Sequence, residues 1–186
     1  NPSKHRIDVD CGAFARCGGC VFRHIDYPAE AALKQNRVMQ TMQRIGKVDT
    51  CPQSIISAQN SNRYRNKAMY PITENGEVGF YSHHSHRVIP CGDCLLHPEA
   101  FYIASNVFTK FINKHNISVY NEQSHTGLIR HFYIRQGLQT GEIMVCIVIN
   151  GKTLNYSDEL VKELGNALGE NLKSILLNIN TKKTNV

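Results

Sequence analysis

The order of apolar and polar residues predicts an irregular first stretch followed by a helix. The helical pattern runs from Pro28 to Gly46, since proline is tolerated in a first helical turn and glycine commonly follows the last one. Its apolar side would consist of four residues: Ala31, Val38, Met42 and Ile45. The residues before Pro28 follow neither the helical nor the strand period, so we expect them to form a loop.

Two further helices are predicted in the second half of the chain. One extends from Pro98 to about His115 and has five apolar residues on one face: Phe101, Ala104, Phe108, Phe111 and Ile112. The other runs from Asp158 to Leu168, with Ser157 as its candidate N-cap and acidic residues in its first turn. The chain is therefore expected to contain about three helices.

Strand patterns occupy much of the remaining sequence. Residues 64–73 and 77–89 flank Glu74-Asn75-Gly76, and Asn-Gly is the strongest short signal for a hairpin. A second hairpin would join residues 130–136 and 142–150, and residues 174–180 would form a closing strand. The sequence predicts an α+β fold of mainly antiparallel strands in hairpins, with an irregular cysteine-rich N-terminal loop.

Size and charge narrow the function classes. The chain has 186 residues and a formal net charge of +6, which favours a polyanionic partner. Its longest apolar run, from Ile143 to Ile149, is far too short to span a membrane, and no signal-peptide pattern is present. We expect a cytoplasmic protein with no membrane contact that is monomeric. The last residues resemble the start of another strand, so we also expect a fragment of a longer protein.

Seven cysteines supply the clearest chemistry. Cys11, Cys17 and Cys20 have the spacing C-x5-C-x2-C, and two glycines between the last pair let backbone N–H groups turn toward sulfur. By spacing alone, a fourth ligand could be Cys91 or Cys94. A 4Fe-4S cluster is favoured over structural zinc, which usually uses two C-x2-C pairs, and over free or disulfide-linked thiols. Of the other two cysteines, Cys146 lies in an apolar strand, where we expect an inert thiol.

These residues resemble the signature of the iron–sulfur RNA (uracil-5-)-methyltransferases, the branch that acts on 23S rRNA. Eight residues match it: Cys11, Cys17, Gly18, Gly19, Cys20, His24, Tyr27 and Lys34. Arg23 replaces the usual Gln, a departure expected to leave the cluster untouched. Later segments also fit the family: residues 64–68, 88–98, 127–131 and 178–180, with Thr184 and Asn185.

The resemblance implies a place in a three-part enzyme that has an RNA-binding TRAM barrel, a central domain and a Rossmann-like methyltransferase domain. Residues 1–27 would form the cluster loop and residues 28–186 the central α+β domain, with the TRAM and Rossmann-like domains absent from this chain. The family segment around residues 88–98 makes Cys94 the fourth ligand, with Cys91 as the alternative.

In the family, a Cys thiolate adds to C6 of uracil, and C5 then accepts the methyl group of S-adenosylmethionine. This chain shows neither the donor loop nor the nucleophile segment. We therefore assign it no catalytic residue and expect it to be inactive alone, with S-adenosylmethionine bound only by the full-length enzyme.

RNA contacts are expected from two basic groups. Alternation would place Arg63, Arg65 and Lys67 on one strand face, although a plain solvated face is the alternative. The second group is Arg130, His131 and Arg135. Two other functions stay open: an iron–sulfur electron carrier or redox sensor, and a zinc- or iron–sulfur-stapled RNA-binding module without catalysis.

Overall fold

The computed structural model describes residues 2–183, and its three helices lie close to the predicted positions. Helix α1 is Tyr27–Arg44, α2 is Glu99–Lys114 and α3 is Ser157–Leu168. The strands are β1 (Lys67–Pro71), β2 (Gly79–Tyr81), β3 (Val88–Pro90), β4 (Ile129–Gln136), β5 (Ile143–Ile149) and β6 (Leu172–Ile179). The α+β class and the cysteine-rich N-terminal loop are confirmed. The matched residues Thr184 and Asn185 lie outside the described residues.

Four strands form the main sheet in the order β1-β4-β5-β6. The pairs β1–β4 and β4–β5 are antiparallel, which confirms the second predicted hairpin. The closing strand β6 is parallel to β5, and α3 lies in the connection between them. A parallel pair needs such a crossover because a tight turn can only reverse the chain.

The first predicted hairpin is wrong beyond its turn. The Asn75-Gly76 turn forms, with the Thr73 N–H donating to the Glu77 carbonyl at 2.8 Å, but strand pairing stops at the bridge between Ile72 and Val78. Strand β1 pairs instead with β4, because the buried side chains of β1 belong to the core beneath that sheet. The predicted strand 77–89 is split by its polar, histidine-rich middle into β2 and β3, which pair with each other.

Helices α2 and α3 cover one face of the main sheet. Phe108 of α2 stacks on Phe132 of β4, with ring centroids 4.5 Å apart, and Leu160 and Leu164 of α3 are also buried. Such close packing of aromatic and aliphatic side chains is the largest stabilising contribution available to a domain of this size. We call residues 67–179 the sheet unit.

Helix α1 lies outside this core, and its predicted apolar side is largely wrong. Only Ala31 is buried, whereas Val38 and Ile45 are 52% and 79% exposed. The helix begins where predicted because Asp26 accepts a hydrogen bond from the Ala29 N–H at 2.8 Å and Pro28 occupies its first turn. We call residues 2–66 the N-terminal region. Among the described residues, no helix is both long and apolar enough to cross a membrane.

Candidate functional site

A short coil between residues 11 and 20 places its cysteines against the β2–β3 ribbon. The Cys17 N–H bonds to the Ala13 carbonyl at 2.8 Å, which turns the chain back after Cys11. The Gly18 N–H donates to the Tyr81 carbonyl at 3.1 Å, and a Cβ on Gly18 would stand 3.2 Å from that oxygen. The loop can approach β2 this closely because residue 18 has no side chain.

The segment after β3 carries the other two cysteines toward this loop. The Cys91 N–H bonds to the Val78 carbonyl at 3.1 Å, and a turn follows in which the His97 N–H bonds to the Cys94 carbonyl. Cys91 is buried with Ala13 and Ile89, and three further cysteines pack against this small cluster: Cys11, Cys17 and Cys94. Cysteines that are far apart in sequence thus lie close together in the fold.

Cys20 completes the group through its electrostatic interactions. Its thiol interacts with those of Cys94 and Cys17, and burial raises the pKa of both Cys20 and Cys17 above the ordinary thiol value. None of the seven cysteines is paired in a disulfide. Cys51 is exposed after α1, and Cys146 lies half-buried on β5, so both stand apart from the group, which we call the cysteine site.

Within the cysteine site, Cys91 and Cys94 play unequal parts. The Cys91 thiol donates a hydrogen bond to the Cys94 sulfur, which lowers the pKa of Cys94 and raises that of Cys91. His97 and the Leu96 N–H also hydrogen-bond the Cys94 sulfur and lower its pKa further, against the opposing effect of burial. Cys94 is therefore the thiol of this pair that most readily becomes a thiolate, the form that binds metal.

The cysteine site contains the ligand type that an iron–sulfur cluster requires. Within residues 2–183, no three histidine, cysteine or acidic side chains already stand as ligands around a single ion. A four-iron cube is much larger than one ion and is held by thiolates alone, which is the ligand type gathered here. The Gly19 N–H points at the Cys17 sulfur at 3.3 Å, the hydrogen bond that an anionic cluster uses. The residues present fit the cluster.

Sequence reasoning missed two side chains beside these thiols. Arg23 holds Asp10 through two hydrogen bonds of 2.6 and 2.8 Å, and its charge interacts with Cys20 and Cys11. Arg23 thus lies close enough to these thiols to act on them electrostatically, while the expectation that it leaves the cluster untouched stays a prediction. His97 is 2% exposed, and its ring stacks between Phe80 and Phe101. The spacing Cys94-x2-His97 could have indicated it.

The first predicted basic group does not share one strand face. Strand β1 begins only at Lys67, because the N–H groups of Arg63 and Arg65 bond to the carbonyls of Leu95 and Leu96 instead of a strand ladder. The Arg63 guanidinium donates to the His97 carbonyl at 2.7 Å. All three cations are exposed.

Arg65 lies beside the cysteine site, where its charge interacts with Cys17 and Cys20. A cleft of about 700 Å³ opens there, with Cys20, Arg23, Tyr64 and Arg65 among its walls. Arg65 thus lies beside the thiols, Arg63 is held at the His97 carbonyl, and only Lys67 is in strand β1.

The second basic group also separates. Arg130 is 6% exposed, lies over the Tyr120 ring at 4.3 Å, and donates to the carbonyls of Asn180 and Lys182 at 3.0 and 2.6 Å. It therefore has a structural part in fixing the end of β6, which its sequence position did not indicate. Burial and the neighbouring Arg130 lower the pKa of His131. Arg135 is exposed and lies opposite Lys67 across the β1–β4 pair.

Comparison with known proteins agrees with the resemblance read from the motifs. A protein of Caldanaerobacter subterraneus subsp. tengcongensis named as an uncharacterized RNA methyltransferase is 38% identical over 186 residues, which cover 98% of this chain and 41% of that protein. One of Clostridium tetani with the same description is 35% identical over 188 residues, covering 100% and 41%. Over its whole length the chain is homologous to a part of these proteins, which are named as RNA methyltransferases. It spans about two fifths of the length of these relatives.

The fold of the chain also has a solved counterpart. The Pyrococcus abyssi tRNA (uracil-54, C5)-methyltransferase, solved with S-adenosyl-L-homocysteine, is similar with a TM-score of 0.74 and 22% identity. The similarity covers 99% of this chain and 40% of that one. At this identity, the likeness supports the fold alone. No family model matches the chain.

Proposed function

We propose that this chain is the central, cluster-bearing and RNA-binding segment of an S-adenosylmethionine-dependent RNA (uracil-C5) methyltransferase that acts on 23S rRNA. The observation that carries the proposal is the meeting of the Cys11–Cys20 loop with Cys94, in a chain related to RNA methyltransferases over its whole length. The relatives support the methyltransferase class. The cysteine spacing supports the iron–sulfur branch and its rRNA substrate.

In this proposal four thiolates hold a 4Fe-4S cluster: Cys11, Cys17, Cys20 and Cys94. A bound cluster would supply a cross-link between the N-terminal loop and the turn after β3. Cys91 is assigned as the neighbour that stabilises the Cys94 thiolate through its hydrogen bond. Residues 1–27 are assigned as the cluster loop and 28–186 as the central domain.

The remaining assignments follow from the same reading. S-adenosylmethionine and the catalytic thiolate belong to the full-length enzyme, so this chain alone is expected to transfer no methyl group. Neither cysteine outside the cysteine site is assigned as nucleophile, since Cys51 is on an exposed loop and Cys146 lies within a strand. We place the enzyme in the cytoplasm, with its rRNA substrate, as a monomer. Arg65 is proposed as an RNA contact at the cleft beside the cluster loop, and Arg63 as an exposed contact next to it in sequence.

The decisive experiment compares Cys94→Ser with Cys91→Ser in protein prepared without oxygen. We expect the wild type to contain iron and sulfide and to absorb broadly at about 400 nm, a mark of thiolate–iron charge transfer. Cys94→Ser should lose the iron, whereas Cys91→Ser should retain most of it. Cys51→Ser, an exposed cysteine outside the cysteine site, is the control that should leave iron unchanged.

Three outcomes would contradict parts of the proposal. Zinc in place of iron would favour a zinc-stapled module. Loss of iron only in Cys91→Ser would exchange the fourth ligand. Methyl incorporation into rRNA by the chain alone, above a heat-inactivated control, would show that the chain holds a donor site and a nucleophile.

A further inference from the structure

The face of the main sheet opposite α2 and α3 is not covered by a helix. Side chains alternate along each strand, so the residues between the core positions point to this other side. Cross-strand pairing arranges four of them in one row across the whole sheet: Met69, Tyr133, Cys146 and Leu176. We call this side the open face and these four residues its central row.

The central row is apolar, and both of its ends are accessible. Met69 is 52% and Leu176 50% exposed, and they belong to one continuous apolar row, the kind of surface that marks an interaction site more than a single exposed residue does. Tyr133 is half-buried near the middle of the row, beside Met69 on one strand and Cys146 on the other. The row therefore offers an aromatic ring flanked by soft, polarizable sulfur-containing side chains.

The neighbouring row contains four residues: Lys67, Arg135, Met144 and Ser174. We call it the cationic row because of its first two members. Lys67 faces Arg135 across the β1–β4 pair, and both side chains are exposed. Within residues 2–183 neither forms a salt bridge. The third row contains Pro71, His131, Val148 and Asn178. No carboxylate stands in any of the three rows, although the charge of Glu122 reaches His131 in the third row. Lys67 and Arg135 therefore form a positive pair that has no carboxylate partner in these rows.

Two residues along a strand separate the cationic row from the central row, a distance of about 7 Å. That is the scale of one nucleotide, with its base on the ring and its phosphate at the cations. A protein partner covering this face would have to bury two uncompensated cations, which is strongly unfavourable. A polyanion whose units carry flat apolar rings matches both rows at once.

We propose that the open face binds single-stranded RNA, with an unpaired base stacked on Tyr133 and phosphates at Lys67 and Arg135. This inference rests on the proposed function for the presence of an RNA substrate and extends it to a surface distinct from the cysteine site. It also gives Lys67 and Arg135, predicted from sequence to belong to separate basic groups, a shared part.

The test measures binding of a labelled, uridine-rich single strand of about ten nucleotides to the iron-loaded chain. Tyr133→Leu, which keeps an apolar side chain of similar bulk, should weaken binding by about 5- to 150-fold, the range for removal of one stacking aromatic. Tyr133→Phe should bind like the wild type. Tyr102→Leu, on the exposed side of α2, is the matched control and should leave affinity unchanged.

Salt dependence tests the phosphate contacts. Lys67→Gln and Arg135→Gln should each flatten the slope of log K against log salt by about 0.7, the value for one phosphate contact on a single strand. Lys110→Gln, an exposed lysine on α2 that lowers the net charge equally, should not change the slope. Photocrosslinking with 5-iodouridine RNA should place the crosslink on Tyr133 by mass spectrometry.

The outcomes separate this inference from the proposed function. Wild-type RNA binding that Tyr133→Leu and both glutamine variants leave unchanged would overturn the open face alone. Self-association of the chain that these variants abolish, with RNA binding intact, would also overturn it in favour of a protein partner. A wild-type chain that holds iron but binds no RNA would overturn both this inference and the RNA-binding part of the proposed function.

Discussion

The sheet unit and the N-terminal region are held together by different forces. In the sheet unit, aromatic and aliphatic side chains such as Phe108, Phe132 and Leu164 are fully buried. In the N-terminal region, only Ala13 and Ala31 are buried, while large apolar side chains such as Ile56 lie in the open. The sheet unit is stabilised by burial of apolar surface, whereas the N-terminal region buries almost no apolar surface.

The comparison bears on the metal centre proposed above. Ordering a residue costs about 1–2 kcal/mol of backbone entropy, which burial of side chains normally offsets. The Arg23–Asp10 ion pair of the N-terminal region is 57% exposed at its carboxylate, and a pair exposed to this extent contributes little. In the proposed function, ligation of the thiols would be the strongest remaining link between this region and the sheet unit. We therefore expect metal binding and the order of the N-terminal region to be coupled.

Removal of the metal should have the largest effect on this contrast. Cys17→Ser, or chelation of the metal from the wild type, should open the N-terminal region to trypsin while a protected fragment containing the sheet unit remains. Limited proteolysis followed by mass spectrometry measures this. Cys51→Ser should leave the digestion pattern unchanged. Equal protection with and without metal would show that the N-terminal region is ordered by its own contacts.

A cavity in the sheet unit should have the next largest effect. Unlike metal removal, it should destabilise the sheet unit and not the N-terminal region. Phe108→Ala removes a ring that is fully buried against Phe132 and should lower the free energy of unfolding by about 3–5 kcal/mol. Urea unfolding followed by circular dichroism measures it. Tyr102→Ala on the exposed side of the same helix should change stability by less than about 0.5 kcal/mol.

For Phe108→Ala, a loss below about 1 kcal/mol would show that α2 contributes little to the core. Iron content per folded molecule should match the wild type, since Phe108 is remote in sequence and structure from the cysteine site. A parallel loss of iron would instead show that the two parts unfold together.

A fall in pH should produce the smallest of the three effects, a modest loss of stability of the sheet unit. Burial lowers the pKa of His131 below the value of about 6.5 that it has when unfolded, so between the two values the unfolded state binds more protons. The sheet unit should therefore lose stability as the pH falls from about 7.5 to about 5.5. The pKa values of Asp10 and Asp26 are lowered by their hydrogen bonds, so these carboxylates stay ionised in that range.

The measurement for His131 is the change in urea midpoint between the two pH values, compared with the same change in His131→Gln. The variant should show the smaller change. Equal changes in both proteins would assign the acid sensitivity to other histidines.

Local signals predicted much of the fold. Helix α2 and the β4–β5 hairpin follow from short-range periodicity and turn residues, and both were found as expected. The partner of β1 could not be predicted, because the choice between β2 and β4 depends on which strand completes the core over α2. The exposure of α1 was also missed, since its apolar spacing is the same whether or not a partner covers it.

At the cysteine site, too, local sequence signals predicted some features and tertiary contacts decided the others. The spacing of Cys11, Cys17 and Cys20 carries its own chemistry, although their role as ligands stays a prediction. The proximity of Arg23 and His97 to these thiols depends on how the loop and the turn cross, which no local pattern encodes. Lys67 and Arg135 were assigned to separate groups because a strand register that joins distant segments is invisible in sequence.

Arg130 has a mechanical consequence. Its guanidinium, seated over Tyr120, ties the backbone carbonyls of Asn180 and Lys182 to β4. Residues 180–182 are thus held to β4 at two backbone carbonyls past the end of β6. A movement of residues 180–182 would therefore either break these hydrogen bonds or move Arg130 and strand β4 with it.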